Sequence, residues 1–133
     1  MHKCTYSLIP TPLRHILKVF KALSDETRLR IVNLLLEREC AVCEIMQAMG
    51  ISQTRASRGL TALHNVGLLK AKRDGLWVLY SIDEEEVRKS YACLTELIRN
   101  ALEDNQLASL DRQRLKGSVR ESPCIERARV LGR

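Results

Sequence analysis

Five cysteines stand in a chain of 133 residues, and two of them, Cys40 and Cys43, are three positions apart in Arg38-Glu39-Cys40-Ala41-Val42-Cys43-Glu44-Ile45. On a helix this spacing puts both sulfurs on one face, where they can approach the same ion. Thiolates at a helix start are favoured by its dipole, and soft thiolate ligands select soft or thiophilic ions. The same pair can instead form a disulfide or polysulfide link, or simply pack, because an unoxidised cysteine behaves as a small apolar side chain. Cys4, Cys93 and Cys124 are scattered along the rest of the chain. An odd count at irregular spacing reads as thiols rather than as a disulfide framework. A thioredoxin-like redox enzyme sets its C-x-x-C in a βαβ unit. Here helix is expected to precede helix, so no enzyme is expected.

Charge supplies the second chemistry. The chain carries 22 basic and 16 acidic residues, a formal charge of +6. Residues 50–80 hold five basic side chains, Arg55, Arg58, Lys70, Lys72 and Arg73, against a single acidic one. They lie in a strongly patterned region and are expected on a folded surface. Residues 81–111 are acidic, and residues 112–133 are basic again, with Gly117, Ser118, Ser122 and Pro123 and few large apolar side chains. Residues 105–133 are therefore expected to be a loosely ordered basic tail that attracts polyanions non-specifically. No apolar run approaches the roughly 20 residues that cross a bilayer. Only two apolar residues, Leu8 and Ile9, lie between Ser7 and Pro10, too short a run for a signal peptide. A cytoplasmic protein with no membrane partner is expected.

The pattern of elements follows from stripes and caps. Thr11-Pro12 reads as a helix start, with Leu13, Ile16, Leu17, Phe20 and Leu23 at helical spacing behind it. Ser24 is the expected cap of a second helix with a broad apolar face from Leu29 to Leu36. A short third helix, about 41–49 with Val42, Ile45, Met46 and Met49 inward, ends at Gly50. Ser52 caps a fourth that runs to about Asn65, with Ala56, Leu60 and Leu63 inward. Two helices joined by so few residues must cross steeply, as in a helix-turn-helix. Residues 68–73 and 76–82 then flank Asp74-Gly75, a strong hairpin signal. Asp83 with Glu86 opens a fifth helix, expected to run to about Asp104. The expected fold is mainly α with a β-hairpin wing, a winged helix-turn-helix. The chain divides into an amino-terminal arm (1–11), that domain (12–104) and the tail (105–133).

Ala22-Leu23-Ser24-Asp25-Glu26-Thr27-Arg28-Leu29-Arg30-Ile31, then Ile51-Ser52-Gln53-Thr54-Arg55-Ala56-Ser57-Arg58, Leu63-His64-Asn65-Val66-Gly67-Leu68-Leu69 and Arg73-Asp74-Gly75-Leu76-Trp77-Val78-Leu79-Tyr80 closely resemble the ArsR/SmtB family of bacterial metal-responsive repressors. The resemblance spans about Pro12 to Leu102. It implies a homodimer paired through the first and last helices, which binds operator DNA and releases it when a metal or metalloid binds. The residues fit that reading. Gln53, Thr54, Ser57 and Arg58 lie on the first turns of the fourth helix, opposite its apolar stripe, the part of a recognition helix that enters the major groove. Arg58 can pair with guanine and Gln53 with adenine, while Ser57 and Thr54 can bond bases or phosphate. Ser52 caps the helix and can touch phosphate, and Lys72 and Arg73 at the hairpin tip can grip the backbone or minor groove.

Arsenic and cadmium sensors of the family carry Leu-Cys-Val-Cys-Asp-Leu where this chain has Cys40 and Cys43. Cys43 matches the second cysteine; the first is Ala41 here, with Cys40 one place back, and Met46 stands where some arsenic sensors have a third thiol. The resemblance implies As(III) or Sb(III) as effector, then Cd, Pb or Zn, bound by Cys40 and Cys43 with a third thiolate from Cys4, Cys93 or Cys124, and no organic cofactor. Zinc and cobalt sensors place Asp and His ligands on the last helix, which has no histidine here; His2, His15 and His64 lie elsewhere. Two alternatives stay open: a thiol-redox or reactive-sulfur-responsive repressor of the same fold, and a DNA-binding module without an effector.

Overall fold

A computed structural model describes residues 12–121. The arm with Cys4 and the end of the chain with Cys124 lie outside them. Seven helices and three strands follow in order: α1 (Pro12–Leu23), α2 (Glu26–Glu37), β1 (Cys40–Ala41), α3 (Val42–Met49), α4 (Gln53–Asn65), β2 (Leu69–Asp74), β3 (Trp77–Ile82), α5 (Glu84–Ser90), α6 (Ala92–Leu102) and α7 (Gln106–Lys116). No helix among the described residues is long and apolar enough to cross a membrane.

The core gathers the inward faces of these helices. Ile31, Leu34, Ile45, Leu60 and Leu63 are fully enclosed, and Val19, Val87, Tyr91, Ile98 and Leu115 close the periphery. Side chains this well buried each contribute about 1.5–3 kcal/mol. The α1 stripe does not all turn inward: Val19 and Leu23 are buried, while Leu13, Leu17 and Phe20 stay exposed. Leu97 of α6 is exposed as well, and Ile16, Phe20, Leu94 and Leu97 line one open apolar groove between the two helices.

Several boundaries differ from expectation. Asp25, not Ser24, caps α2, its carboxylate accepting from the Arg28 amide at 3.0 Å, while the Ser24 hydroxyl turns back to donate to the Phe20 carbonyl at 2.7 Å. The third helix starts at Val42, because Cys40 and Ala41 are drawn into a strand that pairs antiparallel with Tyr80 and Leu79. That gives a sheet of order β1-β3-β2 rather than a bare hairpin. Val42 and Met46 are only partly buried, whereas Cys43, Glu44 and Ala48 are buried beside Ile45 and Met49. The hairpin turn is Gly75-Leu76, with Asp74 opposite Trp77. Gly75 has φ +62°, and no other residue type among the described residues has positive φ, the pattern of a turn with glycine at its first central position.

The expected long fifth helix is two helices. Tyr91 leaves the helical region at φ −137°, ψ 28°, so that its ring is buried while α6 sets off in a new direction. Residues 105–121 are not loose. Asn105 caps α7, accepting from the Ala108 amide at 3.0 Å. The helix packs against α2 and α3, held by an ion pair in which Arg30 donates twice at 2.8 Å to the fully buried Asp111. Arg112 adds bonds to the Asn33 side chain and the Glu103 carbonyl. Charges that read as a solvated tail are, in part, the docking face of a helix.

Candidate functional site

Two helix starts carry the candidate chemistry. At the first, α3 crosses to α4 through Gly50, Ile51 and Ser52, with Gly50 in the left-handed region at φ +65°. The Ser52 hydroxyl accepts from the Arg55 amide at 3.2 Å and so caps α4. Ala56, Gly59, Leu60 and Leu63 hold the inner face of α4 against the core. The opposite face of its first turns presents Ser52, Thr54 and Arg58 exposed, with Gln53 and Ser57 half-buried. Lys72 and Arg73 project from the wing, Lys72 with its ammonium 3.5 Å from Glu39. All seven expected DNA-contacting residues therefore have surface, five of them on one helix start and two on the hairpin. Arg55 had no assigned role; its guanidinium donates to the Thr27 hydroxyl at 2.7 Å and ties the start of α4 to the start of α2.

The second start is α3, and here the two cysteines part company. Cys40 lies on β1, not on the helix, and its side chain belongs to the main core, with no exposed surface. Cys43 belongs to a separate cluster with Ala41, Leu79 and Trp77. Burial pushes the Cys40 thiol up to about 12, and the thiol donates to the Arg38 carbonyl at 3.4 Å. It is neutral at ordinary pH. Cys93 is exposed on α6, beside the apolar groove shared with Phe20. Among the described residues no three His, Cys, Asp or Glu side chains converge as a metal-binding group.

Glu44, only 3% exposed, organises this end of α3. Its carboxylate accepts from the Ala41 amide at 2.9 Å and pairs with Arg38 at 2.8 Å and Arg120 at 3.1 Å. Burial pushes its pKa up, but the Ala41 amide, Arg120 and Arg38 together outweigh that and hold it below the usual carboxylate range. Half of a capping-box pattern was present in the sequence, an acidic residue three places after the cap. Ala41 at the cap concealed it, because the usual cap has a hydroxyl.

Residues 25–71 match the model of a bacterial regulatory protein family, the arsR family. Over 75 residues the chain is 43% identical to a cadmium resistance transcriptional regulatory protein CadC homolog of Staphylococcus aureus, covering 56% of this chain and 62% of that one. Over 68 residues it is 46% identical to the arsenic resistance transcriptional regulator ArsR2 of Pseudomonas putida, covering 50% and 59%. The chain thus spans roughly three-fifths of these relatives' length. The fold is similar to the homodimeric winged helix-turn-helix DNA-binding domain of a possible ArsR-family transcriptional regulator from Mycobacterium bovis, with a TM-score of 0.61 and 33% identity over 80% of this chain and 91% of the other. The chain belongs to the ArsR family. Its fold is the winged helix-turn-helix of that family. In that fold α4 stands in the place of the recognition helix and β2–β3 form the wing.

Proposed function

We propose that the protein is a dimeric repressor that reads operator DNA with Ser52, Gln53, Thr54, Ser57 and Arg58 of α4 and steadies itself on the backbone with Lys72 and Arg73. The observation that carries this reading is the open start of α4: a capped helix end with exposed hydrogen-bonding side chains on one face and core on the other. The exposed groove between α1 and α6 supports pairing of two copies through these helices, the sixth helix taking the part expected of the last one. Replacing Arg58 with Ala, exposed and outside the core, should weaken binding to the protein's own promoter fragment by about 10- to 100-fold, the 1–3 kcal/mol of one lost base pairing. Undiminished affinity in a folded variant refutes the role.

The names of the arsenic- and cadmium-resistance relatives favour a thiophilic effector, As(III) or Sb(III) ahead of Cd, Pb or Zn. Of Cys40 and Cys43, Cys43 is the better candidate, with Cys4 or Cys124 to complete the set, because it sits in the small cluster beside the wing while Cys40 is part of the main core with its thiol held neutral. A Cys40–Cys43 redox switch is less well supported, since it needs a thiolate from Cys40, whose ionisation burial opposes, and the two sulfurs lie in separate clusters. A gel shift titrated with arsenite, antimonite, cadmium and peroxide separates the readings. Cys43→Ser should keep DNA binding and lose release by arsenite, while Cys40→Ser should keep both. Release by peroxide alone, abolished by either substitution, would favour the redox switch instead.

A further inference from the structure

We propose that residues 117–121 form a strap that gates Cys43 and joins it mechanically to the wing. Beyond α7 the chain doubles across the start of α3. The Gln47 side chain exchanges two bonds with the Val119 backbone, donating to its carbonyl at 2.7 Å and accepting from its amide at 3.0 Å. Arg120 pairs with Glu44 at 3.1 Å and reaches Asp74 of the wing at 3.8 Å. The Glu121 amide donates to the Cys43 sulfur at 3.5 Å, while the Glu121 carbonyl accepts from the Trp77 indole at 2.6 Å. Three consecutive residues, Val119, Arg120 and Glu121, thus bridge Cys43, Glu44 and Gln47 on one side to Asp74 and Trp77 on the other.

The strap is held mainly by polar bonds: Val119 is 60% exposed, Arg120 is exposed, and Ser118 and Glu121 are only half-buried. Segments with few buried apolar contacts open locally at small cost while the rest of the fold stays closed. Cys43 is only 2% exposed, so a group added to its sulfur displaces the Glu121 backbone. Displacing that residue breaks the Trp77 bond and draws Arg120 from Asp74. By reciprocity, whatever loosens the strap exposes Cys43, and whatever occupies Cys43 loosens the strap. The coupling goes beyond the operator-binding reading and needs neither DNA nor an ion, so its failure would leave that reading intact.

The test is alkylation of the full-length chain by iodoacetamide, in which a cysteine sulfur displaces iodide to form a thioether and its proton passes to the buffer. Rates are read cysteine by cysteine by mass spectrometry in the wild type, Arg120→Ala and Gln47→Ala. Neither position lies in the DNA-reading face, and Glu44 keeps Arg38 and the Ala41 amide when Arg120 is removed. Each variant should speed Cys43 alkylation about tenfold, the factor expected when one or two such bonds are lost. Cys40, enclosed in the core, should stay as slow as in the wild type. Emission of Trp77, the sole tryptophan, should shift to the red in both variants. It should shift equally when Cys43 is alkylated in a chain whose Cys4, Cys93 and Cys124 are replaced by Ser. An unchanged Cys43 rate, a Trp77 emission indifferent to both changes, or Cys40 accelerating in step with Cys43 would each overturn the proposal.

Discussion

The starts of α3 and α4 are eleven positions apart, and at each a side-chain oxygen accepts from a backbone amide at the positive end of the helix dipole, Glu44 from Ala41 and Ser52 from Arg55, yet they differ in access. Ser52 caps α4 from an exposed position, with no described residue closing over it. Glu44 caps the α3 start from within, beneath Arg38, Arg120 and the strap. An open start is free to meet an outside anion. A closed one is covered by the protein's own groups, with the Ala41 amide already held by Glu44, so it meets a ligand only by rearranging.

The contrast breaks most visibly through stability. Glu44→Ala removes charge-assisted bonds to two arginines together with the cap at Ala41, and should cost about 2–4 kcal/mol in urea unfolding. Ser52→Ala removes one exposed cap bond and should cost about 1 kcal/mol. Equal losses would mean that the strap side is no more closed than the other.

Titration sharpens the same difference, with opposite signs at its two buried groups. Glu44 has a lowered pKa in the fold, so its contribution is complete above the unfolded value of about 4.3 and is lost as pH falls through the folded one. Cys40 is raised to about 12; its contribution is complete below the unfolded value of about 8.5 and is lost as pH rises from there through 12. Unfolding free energies measured across pH should therefore slope at both ends. Glu44→Gln should flatten the acid limb and Cys40→Ala the alkaline one. An alkaline limb unchanged by Cys40→Ala would show that this thiol ionises as readily folded as unfolded.

How far the sequence could be read follows the same division. The open start was legible because its determinants are local: Ser52 three residues before the amide it caps, Gly50 before it, and the stripe of Ala56, Leu60 and Leu63 behind. The closed start was legible only in the acidic residue three places after its cap, because what encloses it lies far along the chain. Strand β1 is two residues long and exists only because β3 pairs with it. That pairing sends Cys40 into the core and leaves Cys43 in another cluster, so the three-residue spacing does not give a shared helix face. Arg30 meets Asp111 across 81 positions, and Arg120 meets Glu44 across 76. No local pattern marks such partners. The same charges that made residues 105–121 look like a tail are what dock it. Tyr91, inside the expected continuous fifth helix, instead breaks it and buries its ring.

The smallest effect expected lies at the wing, where the open region ends. Lys72 and Arg73 are adjacent and both exposed, but Lys72 already has Glu39 at 3.5 Å. Such a surface pair contributes only about 0–1 kcal/mol, enough to compete with a phosphate without excluding one. Arg73, alternating to the other face of β2, has no such competitor among the ion pairs of the described residues. Each phosphate neutralised by a side chain adds about 0.9 to the steepness with which operator affinity falls with salt. Arg73→Ala should lower that slope by about this amount and weaken all sequences alike. Lys72→Ala should lower it by less, since Glu39 already offsets part of its charge. If both substitutions left the slope untouched, the wing would stand off the backbone and α4 would carry the interface alone. If Arg73→Ala instead changed which base pairs are preferred, the wing would be reading a groove, and its tether to the α3 start through Arg120 and Trp77 would bear on specificity as well as affinity.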